Sequence, residues 1–312
     1  MGRSAPGRRE DAIITEEPTC LVCGARDAAL RYVAHELRIW ECRRCAQIFL
    51  WPLASEKEIR SLFDTLYATG ESPYPELRSY YAFCLDDAPS NPLVQLYERW
   101  LTRLERVRPP GRLLDIGCGT GLFLDLARRR GWTPFGIDEC AEATGHARSR
   151  FGLAVETADF ESFPWGDRQF DAATMWDIIE HARRPVDLLA AVRQRLAPGG
   201  VIAIATPNQA SILHLIAGAL YHASGGRIQA PLNKMYLIPH FLYFTPQSLA
   251  ETARRAGLEM VTSELESTEL QRLTLSPPVR LALEAAFWIA RRTGLENRLF
   301  AIVRAAGEPG AG

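Results

Sequence analysis

The feature that most constrains the fold is a regular alternation of short apolar strands and helices between residues 112 and 205. The pattern predicts strands at residues 112–116, 133–137, 153–157, 170–176 and 201–205, and helices at residues 122–130, 141–150 and 186–196. Such alternation is typical of an α/β fold with an open, mostly parallel sheet and helices on both faces. In sheets of this kind a ligand binds at the carboxyl ends of the strands.

The first predicted strand runs into a glycine-rich turn, residues 113–121, with the spacing D-x-G-x-G-x-G. Gly117, Gly119 and Gly121 allow a sharp turn and a close approach of the backbone to a ligand, because glycine has no Cβ and tolerates positive φ. The dinucleotide fingerprint G-x-G-x-x-G would need a glycine at Leu122, and the lysine of a P-loop is missing. The turn therefore predicts a ligand site, but one that has neither the G-x-G-x-x-G fingerprint nor a P-loop.

Two acidic residues stand at the ends of the next two strands. Asp138 follows the second strand, where a carboxylate can accept two hydrogen bonds from ribose hydroxyls. Asp159 closes the third strand and can accept a hydrogen bond from an exocyclic amine. Taken singly, each feature has a purely structural explanation: the glycines make a tight turn, and the acids cap helices. Three such features in order, each at a strand end, favour a nucleotide-binding site.

With these motifs, residues 111–265 resemble the class I S-adenosylmethionine-dependent methyltransferases. The resemblance implies a Rossmann-like sheet of seven strands, mostly parallel. Residues 258–265 and 298–304 would supply its last two strands, and the final strand would be antiparallel.

The same resemblance assigns roles at the cofactor site. The three glycines are expected to shape the pocket for the methionine part of S-adenosylmethionine, and Asp115 to orient its amino group. Asp138 is expected to hold the ribose and Asp159 the adenine amine. Phe160 and Trp176, which lie next to the third and fourth strand ends, are assigned to the same site.

Candidate catalytic residues must lie beyond the fourth and fifth strands. Glu180 and His181 follow the fourth strand, and His181 is a candidate general base because the unperturbed pKa of histidine lies near neutrality. The alternative is a structural role, in which Glu180 and His181 start a helix and brace the loop. His240 opens a His-x-x-x-Phe-Thr-Pro run that recurs in the same broad group, which implies that it faces the acceptor pocket. Packing of the surrounding segment against the sheet is the alternative.

The run Asp-x-x-Glu-His at residues 177–181 also resembles the ubiquinone-biosynthesis O-methyltransferases. In that family an acid-x-x-Glu-His run binds a divalent cation that can activate a catechol-like hydroxyl. The resemblance implies Asp177, Glu180 and His181 as the ligands. Because Glu-His at this place is also widespread in related methyltransferases without a metal, the divalent cation is the lesser of the two hypotheses.

Four cysteines form two pairs, Cys20-x-x-Cys23 and Cys42-x-x-Cys45, separated by eighteen residues. This is the spacing of a tetrahedral four-thiolate zinc site, and the alternating stretches between the pairs predict a small ribbon. A ribbon of about 30 residues buries too little core to fold alone, so the metal would supply its stability. Four thiolates leave no coordination position open, which predicts a structural zinc.

These patterns predict six segments. They are a disordered tail (1–17), the zinc ribbon (18–50), a helical linker or cap (51–110), the methyltransferase domain (111–265), a C-terminal helix with the last strand (266–304) and a second tail (305–312). Residues 209–244 are expected to form an irregular insertion, either a lid over a greasy acceptor or a core helix. Thr245 as N-cap and Pro246 at the first helical position predict a helix after it. Tyr80 and Tyr81 lie where related enzymes fold a segment over the cofactor.

Charge limits the class of acceptor. The chain has 36 basic and 37 acidic side chains, a net charge of −1, which equips it poorly for gripping nucleic acid. No apolar run reaches the length of a membrane span. The sequence does not decide whether the protein contacts a membrane peripherally or what its oligomeric state is. The sequence thus predicts a cytoplasmic S-adenosylmethionine-dependent methyltransferase acting on oxygen or carbon of a small-molecule, sugar or lipid-linked acceptor.

Two alternatives remain. One is a ribosomal or transfer RNA methyltransferase that uses the zinc ribbon to dock RNA. The Asn-Pro-Pro-Tyr run of one such branch is missing after the fourth strand, where Met175, Trp176 and Asp177 stand instead. The other is a non-catalytic adaptor that binds the cofactor without turning it over.

Overall fold

The computed structural model describes residues 17–34, 37–270 and 275–307. The predicted tails lie mostly outside these ranges. The strands are β1 (Ala28–Ala34), β2 (Leu37–Cys42), β3 (Ile48–Leu50), β4 (Arg112–Ile116), β5 (Thr133–Asp138), β6 (Val155–Thr157), β7 (Phe170–Trp176), β8 (Leu196–Pro207), β9 (Leu242–Tyr243), β10 (Leu258–Glu266) and β11 (Arg298–Ala305). The helices are α1 (Glu56–Thr69), α2 (Pro75–Cys84), α3 (Pro92–Val107), α4 (Leu122–Arg129), α5 (Ala141–Phe151), α6 (Pro185–Arg193), α7 (Ile212–Ala223), α8 (Ala230–Asn233), α9 (Pro246–Arg255) and α10 (Pro277–Thr293).

The larger sheet has seven strands in the order β10-β11-β8-β7-β4-β5-β6. β11 runs antiparallel to both of its neighbours, and the pairs from β8 to β6 are parallel. The expectation of a seven-stranded, mostly parallel α/β sheet is therefore confirmed.

Helices cover both faces of this sheet because its central strands are apolar on both sides. In β8, Val201 and Ala203 pack into a core shared with α3 and α4, whereas Ile202 and Ile204 pack into a core shared with α6 and α9. A strand buried on both faces is typical of parallel α/β sheets. Because both faces of the sheet are covered by helices, the polar groups at the carboxyl ends of its strands are the ones that a ligand can reach.

The second sheet is antiparallel and has four strands in the order β1-β2-β3-β9. Its first three strands belong to the predicted zinc ribbon, but β9 comes from the segment at residues 209–244. Ile48 pairs with Tyr243 and Phe49 with Leu242 across this junction. The ribbon is thus built into the rest of the chain, since the far segment completes its sheet.

A shared core reinforces this junction. Ile39 and Leu50 of the ribbon are buried together with Leu232, Tyr236 and Tyr243 of the later segment. The ribbon therefore does not depend on its own apolar residues alone.

Two local expectations need correction. The helix predicted at residues 186–196 ends at Arg193, because Leu196 pairs with Phe170 and already belongs to β8. The segment expected to be irregular contains the twelve-residue helix α7, whose N-cap Ser211 accepts a hydrogen bond from the His214 amide.

Among the residues that the structure describes, no helix combines the length and apolar character needed to cross a bilayer.

Candidate functional site

The glycine turn joins β4 to α4 at the carboxyl edge of the sheet. Gly117, Gly119 and Gly121 have φ values of 69°, 51° and 82°, which favour glycine. A Cβ on Gly117 would overlap with the Cδ1 atom of Ile178, and a Cβ on Gly121 would lie 2.7 Å from the Cβ of Ala147. The first glycine thus lets the loop after β7 approach the turn, and the third lets α4 approach α5.

Two carboxylates flank this turn, Asp115 buried and Asp138 half-buried. Asp138, at the end of β5, accepts hydrogen bonds from the backbone amides of Gly119 at 2.9 Å and Cys140 at 2.8 Å. Asp115, in β4, accepts a hydrogen bond from the Thr174 hydroxyl at 2.6 Å. Burial raises the pKa of Asp138 and raises the pKa of Asp115 to about 8. Both residues are therefore brought to the glycine turn, as their strand positions predict.

The other three residues assigned to the cofactor site have different surroundings. Asp159 is exposed and accepts a hydrogen bond from the Ser162 amide at 2.9 Å, within a turn. Phe160 is buried, and its ring lies 5.1 Å from that of Trp165. Trp176 is buried in an aromatic group of the core, with its ring 4.6 Å from that of Trp100. The Trp176 ring therefore packs in the core, while its buried indole nitrogen has no hydrogen-bond partner.

Helix α1 covers the glycine turn, which the sequence did not reveal. A Cβ on Gly119 would lie 3.1 Å from the hydroxyl oxygen of Tyr67, so this tyrosine stands directly over the turn. The Tyr81 hydroxyl donates a hydrogen bond to the Tyr67 carbonyl at 2.9 Å. Tyr80 instead lies 3.1 Å, hydroxyl to hydroxyl, from Tyr97. A segment before the domain thus does fold over the site, but Tyr67 rather than Tyr80 or Tyr81 meets the glycines.

The candidate catalytic residues converge beside the end of β7. Glu180 and His181 lie in a single 3₁₀ turn, Ile179–His181, and the His181 ring centroid is 4.9 Å from that of His240. One potential ligand atom from each of these three residues lies within 4.8 Å of the others. His181 and His240 are 59 residues apart in sequence, and a backbone hydrogen bond from Phe241 to the Glu180 carbonyl at 2.8 Å brings their segments together.

Hydrogen bonds fix the chemical form of these groups. His181 Nδ1 lies 2.7 Å from the carbonyl oxygen of Pro239, which can only accept, so Nδ1 carries the proton and Nε2 is the basic atom. Burial lowers the pKa of His181, and burial together with the charges of His181 and Arg298 lowers the pKa of His240 well below its usual value. Both imidazoles are therefore neutral at pH 7.

Glu180 is the most deeply buried member of the cluster, at 1% exposure. One carboxylate oxygen accepts a hydrogen bond from the Thr206 hydroxyl at 2.9 Å, and the other has no hydrogen-bond partner. Burial and the nearby charge of Asp177 raise the pKa of Glu180. Such an unsatisfied oxygen in the interior favours the protonated, uncharged carboxyl group.

Asp177 forms an ion pair beside this cluster rather than joining it. Arg298, the first residue of β11, donates a hydrogen bond from Nη2 to Asp177 Oδ1 at 2.7 Å, and Asp177 has a φ of 56° in the left-handed region. Arg298 carries no motif, and sequence reasoning missed it. The structure corrects the expected ligand set, because His240, and not Asp177, stands beside Glu180 and His181.

The four cysteines of the two pairs also meet. The sulfurs of Cys20 and Cys45 are 3.5 Å apart, as are those of Cys23 and Cys42, and all four lie within 4.8 Å of one another. The two pairs occupy equivalent turns, closed by backbone hydrogen bonds from Gly24 to the Cys20 carbonyl and from residue 46 to the Cys42 carbonyl, each 2.9 Å long. Two matching turns with converging sulfurs offer the donor set that a tetrahedral metal site requires.

The fold and this edge of the sheet define a class I methyltransferase, and comparisons with known proteins agree. A family model described as a methyltransferase domain matches residues 93–263, and the chain belongs to this family of S-adenosylmethionine-dependent enzymes.

Among curated relatives, the ubiquinone biosynthesis O-methyltransferase of Thiobacillus denitrificans is 28% identical over 169 residues, which cover 52% of this chain and 70% of that protein. The protein of the same name from Aeromonas salmonicida is 31% identical over 161 residues, covering 47% and 62% respectively. The one from Aromatoleum aromaticum is 30% identical over 169 residues, covering 52% and 69%. The chain thus spans about two thirds of the length of these relatives.

Solved structures share the fold at low sequence identity. Magnesium protoporphyrin IX methyltransferase from Synechocystis PCC 6803, with bound SAH, matches with a TM-score of 0.50 and 12% identity, covering 80% of this chain and 100% of that one. A chain of the Haloferax volcanii complex of a methyltransferase with its Trm112 activator matches with a TM-score of 0.51 and 17% identity, covering 78% and 97%. These two similarities establish the fold alone.

Proposed function

We propose that this protein transfers a methyl group from S-adenosylmethionine to an oxygen or carbon atom of a small-molecule, sugar or lipid-linked acceptor. The observation that carries the proposal is the meeting of two sites at one sheet edge. The glycine turn follows β4, and the Glu180, His181 and His240 cluster follows its parallel neighbour β7. Ile178 of the second site touches the space above Gly117 of the first. A donor in one site and an acceptor in the other would then be neighbours.

The residues at the glycine turn fit the cofactor. The Asp138 carboxylate, held by hydrogen bonds from the backbone amides of Gly119 and Cys140, offers its remaining acceptor capacity at the end of β5, where a ribose would lie. Asp115 offers a buried carboxylate for the amino group of the methionine part. Asp159, with its exposed carboxylate, is assigned to the adenine amine. When bound, the cofactor supplies a methyl group on a sulfonium, which is a very good leaving group.

The chain then has to position the acceptor, exclude water and remove a proton. His181 is the proposed base, because donation from Nδ1 to the Pro239 carbonyl leaves Nε2 to accept a proton. Its lowered pKa keeps the ring in the basic form at neutral pH. Helix α1 limits access of water, since Phe63 packs edge-on against His181 with ring centroids 5.7 Å apart and Tyr67 covers Gly119.

His240 and Glu180 complete the proposed acceptor site. The neutral His240 ring faces His181, and the buried carboxyl of Glu180, uncharged at neutral pH, can donate a hydrogen bond to an acceptor oxygen. A divalent cation held by Glu180, His181 and His240 is the alternative use of the same three groups. A carboxylate and two imidazoles suit a divalent transition metal, and binding it would require Glu180 to ionise. Retention of activity in a chelator decides for acid–base chemistry.

We propose a structural zinc ion at Cys20, Cys23, Cys42 and Cys45. Zinc–sulfur bonds of about 2.3 Å place the sulfurs of a tetrahedral site a little under 4 Å apart, and the cysteine sulfurs are close to this spacing. The domain organisation proposed from the sequence is kept, with one addition. Residues 18–50 form the zinc ribbon, and β9 of the insertion is part of the same sheet.

The experiment that tests the function uses methyl-labelled S-adenosylmethionine, the purified protein and fractionated cell extract. Label in the lipid or small polar fraction, lost in a His181→Gln variant that still binds the cofactor, is the expected result. Label in RNA would overturn the proposed acceptor class and favour the RNA methyltransferase. Cofactor binding without label in any fraction would overturn the enzyme and favour the adaptor.

A further inference from the structure

An apolar surface lies on two neighbouring helices away from the proposed active site. On α7, Leu215 and Ile216 are 51% and 48% exposed, and on α10, Leu281 and Trp288 are 68% and 54% exposed. The two helices pack against each other, and the Ile212 amide at the start of α7 donates a hydrogen bond to the Leu295 carbonyl just after α10. We call these two outer faces the α7/α10 surface.

Helix α10 is apolar on its inner and its outer side. Phe287 and Ala290 are buried and hold it to the protein, while Leu281, Trp288 and Ile289 point outward. A helix that packs only against its own protein would carry polar residues on the outer side. Exposed apolar side chains on two helices that pack together are typical of a place where a partner or a membrane binds.

The charges around this surface identify its partner. Residues 209–244 contain Arg227 and Lys234 and no acidic residue, and α10 contains three arginines, at positions 280, 291 and 292, against the single acid Glu284. These two segments therefore carry a net charge of +4 in a chain whose net charge is −1. The guanidinium of Arg292 lies over the Trp288 ring, 3.8 Å from its centroid. Tryptophan with adjacent arginine is typical of side chains at the membrane–water interface.

We infer that the α7/α10 surface docks the protein onto an anionic lipid bilayer. The outward leucine, isoleucine and tryptophan side chains would enter the interface, and the arginines would remain at the level of the lipid phosphates. The inference does not depend on which acceptor is methylated.

The test is co-sedimentation of the full-length protein with vesicles of phosphatidylcholine, with and without about one third phosphatidylglycerol. Binding to the anionic vesicles, weakened by salt, is the expected result. Trp288→Glu and Leu281→Glu should each lower the partition coefficient at least about tenfold, because a charge replaces an inserting side chain. Arg291→Gln/Arg292→Gln should lower it about 25-fold, since each basic residue near an anionic surface contributes about 1 kcal/mol.

Matched controls lie outside the surface. Leu85→Glu changes a leucine that is 43% exposed, and Arg43→Gln/Arg44→Gln changes another adjacent pair of exposed arginines; both variants should bind vesicles within about twofold of the wild type. Failure of the wild type to bind anionic vesicles would overturn the inference, as would equal binding to neutral ones. Sedimentation velocity without lipid tests the other occupant. If the wild type is a dimer, Trp288→Glu is a monomer and neither binds vesicles, the surface binds a second copy of the chain instead.

Discussion

Replacing Arg298 by methionine tests whether the Asp177–Arg298 ion pair holds the proposed catalytic turn. Methionine keeps much of the length and packing of the side chain but leaves the Asp177 carboxylate unpaired. Removing one partner of a fully buried pair costs about 3–5 kcal/mol. The side chains are 8% and 23% exposed, so solvent screens part of this loss, and we expect the free energy of unfolding to fall by about 2–3 kcal/mol.

A double-mutant cycle isolates the pair from the other contacts of Arg298, which include the Trp100 ring at 5.2 Å. Asp177→Asn is the matched partner, because asparagine tolerates the left-handed backbone that Asp177 adopts. Each single variant should lose stability in urea unfolding, and the double variant should lose less than the sum of the two.

The functional measurement separates positioning from simple loss of stability. Asp177 begins the loop that ends in Glu180 and His181, so Arg298→Met should lower methyl transfer at least about tenfold while the S-adenosylmethionine Kd changes less than about twofold. A coupling energy near zero in the cycle, or an unchanged transfer rate, would refute the reasoning that this ion pair positions the turn.

Four further predictions address the cofactor, the zinc and the base. Cys42→Ser should release about one zinc per chain and lower methyl transfer more than cofactor affinity, because β9 pairs with the ribbon strand β3; a metal-free wild type would end this idea. Asp138→Ala should weaken S-adenosylmethionine binding at least about thirtyfold in calorimetry, and Asp138→Asn, which retains one acceptor oxygen for the Gly119 amide, should lose less; unchanged affinity would contradict the ribose assignment. Burial raises the pKa of Asp115 to about 8, so the free protein holds a proton there at pH 7 that a cationic amino group would expel. Cofactor affinity should therefore rise from pH 6 to pH 8 with proton release detectable in buffers of different ionisation enthalpy, and Asp115→Asn should abolish the release. Because burial lowers the pKa of His181, the transfer rate should fall on the acid side only below pH 6.5. His181→Ala should lose the activity and, with it, this acid limb of the pH profile. An acid limb above pH 6.5 would argue against this base.

Much of the fold was predictable because its signals are local. Strands β4 and β7 match the predicted residues 112–116 and 170–176, since a buried parallel strand requires a short continuous apolar run. The helix after the insertion begins as expected, with the Thr245 side chain accepting a hydrogen bond from the Ser248 amide. The end of α6 was predicted three residues too late, because Leu196 fits the helical period equally well and only its pairing with Phe170 assigns it to β8.

The candidate site was predictable only in part. Asp115, Asp138 and the glycines were found because strand ends and tight turns fix their places along the chain. Tyr67 was missed, since nothing in the sequence around it shows that α1 folds back over Gly119. Trp176 was assigned to the cofactor from its position, whereas its ring packs in the core against Trp100.

The sequence by itself determined the elements whose physics is local. These are the glycine turn with positive φ, the alternating strands and helices, and the two cysteine pairs whose spacing places two sulfurs on each turn. The tertiary structure alone decided which distant residues meet. It joined β9 to the proposed zinc ribbon, brought His240 beside His181, and paired Arg298 with Asp177, 121 residues away in the chain. Such contacts follow from how whole elements pack, and a pattern read along one segment contains no information about the segment packed against it.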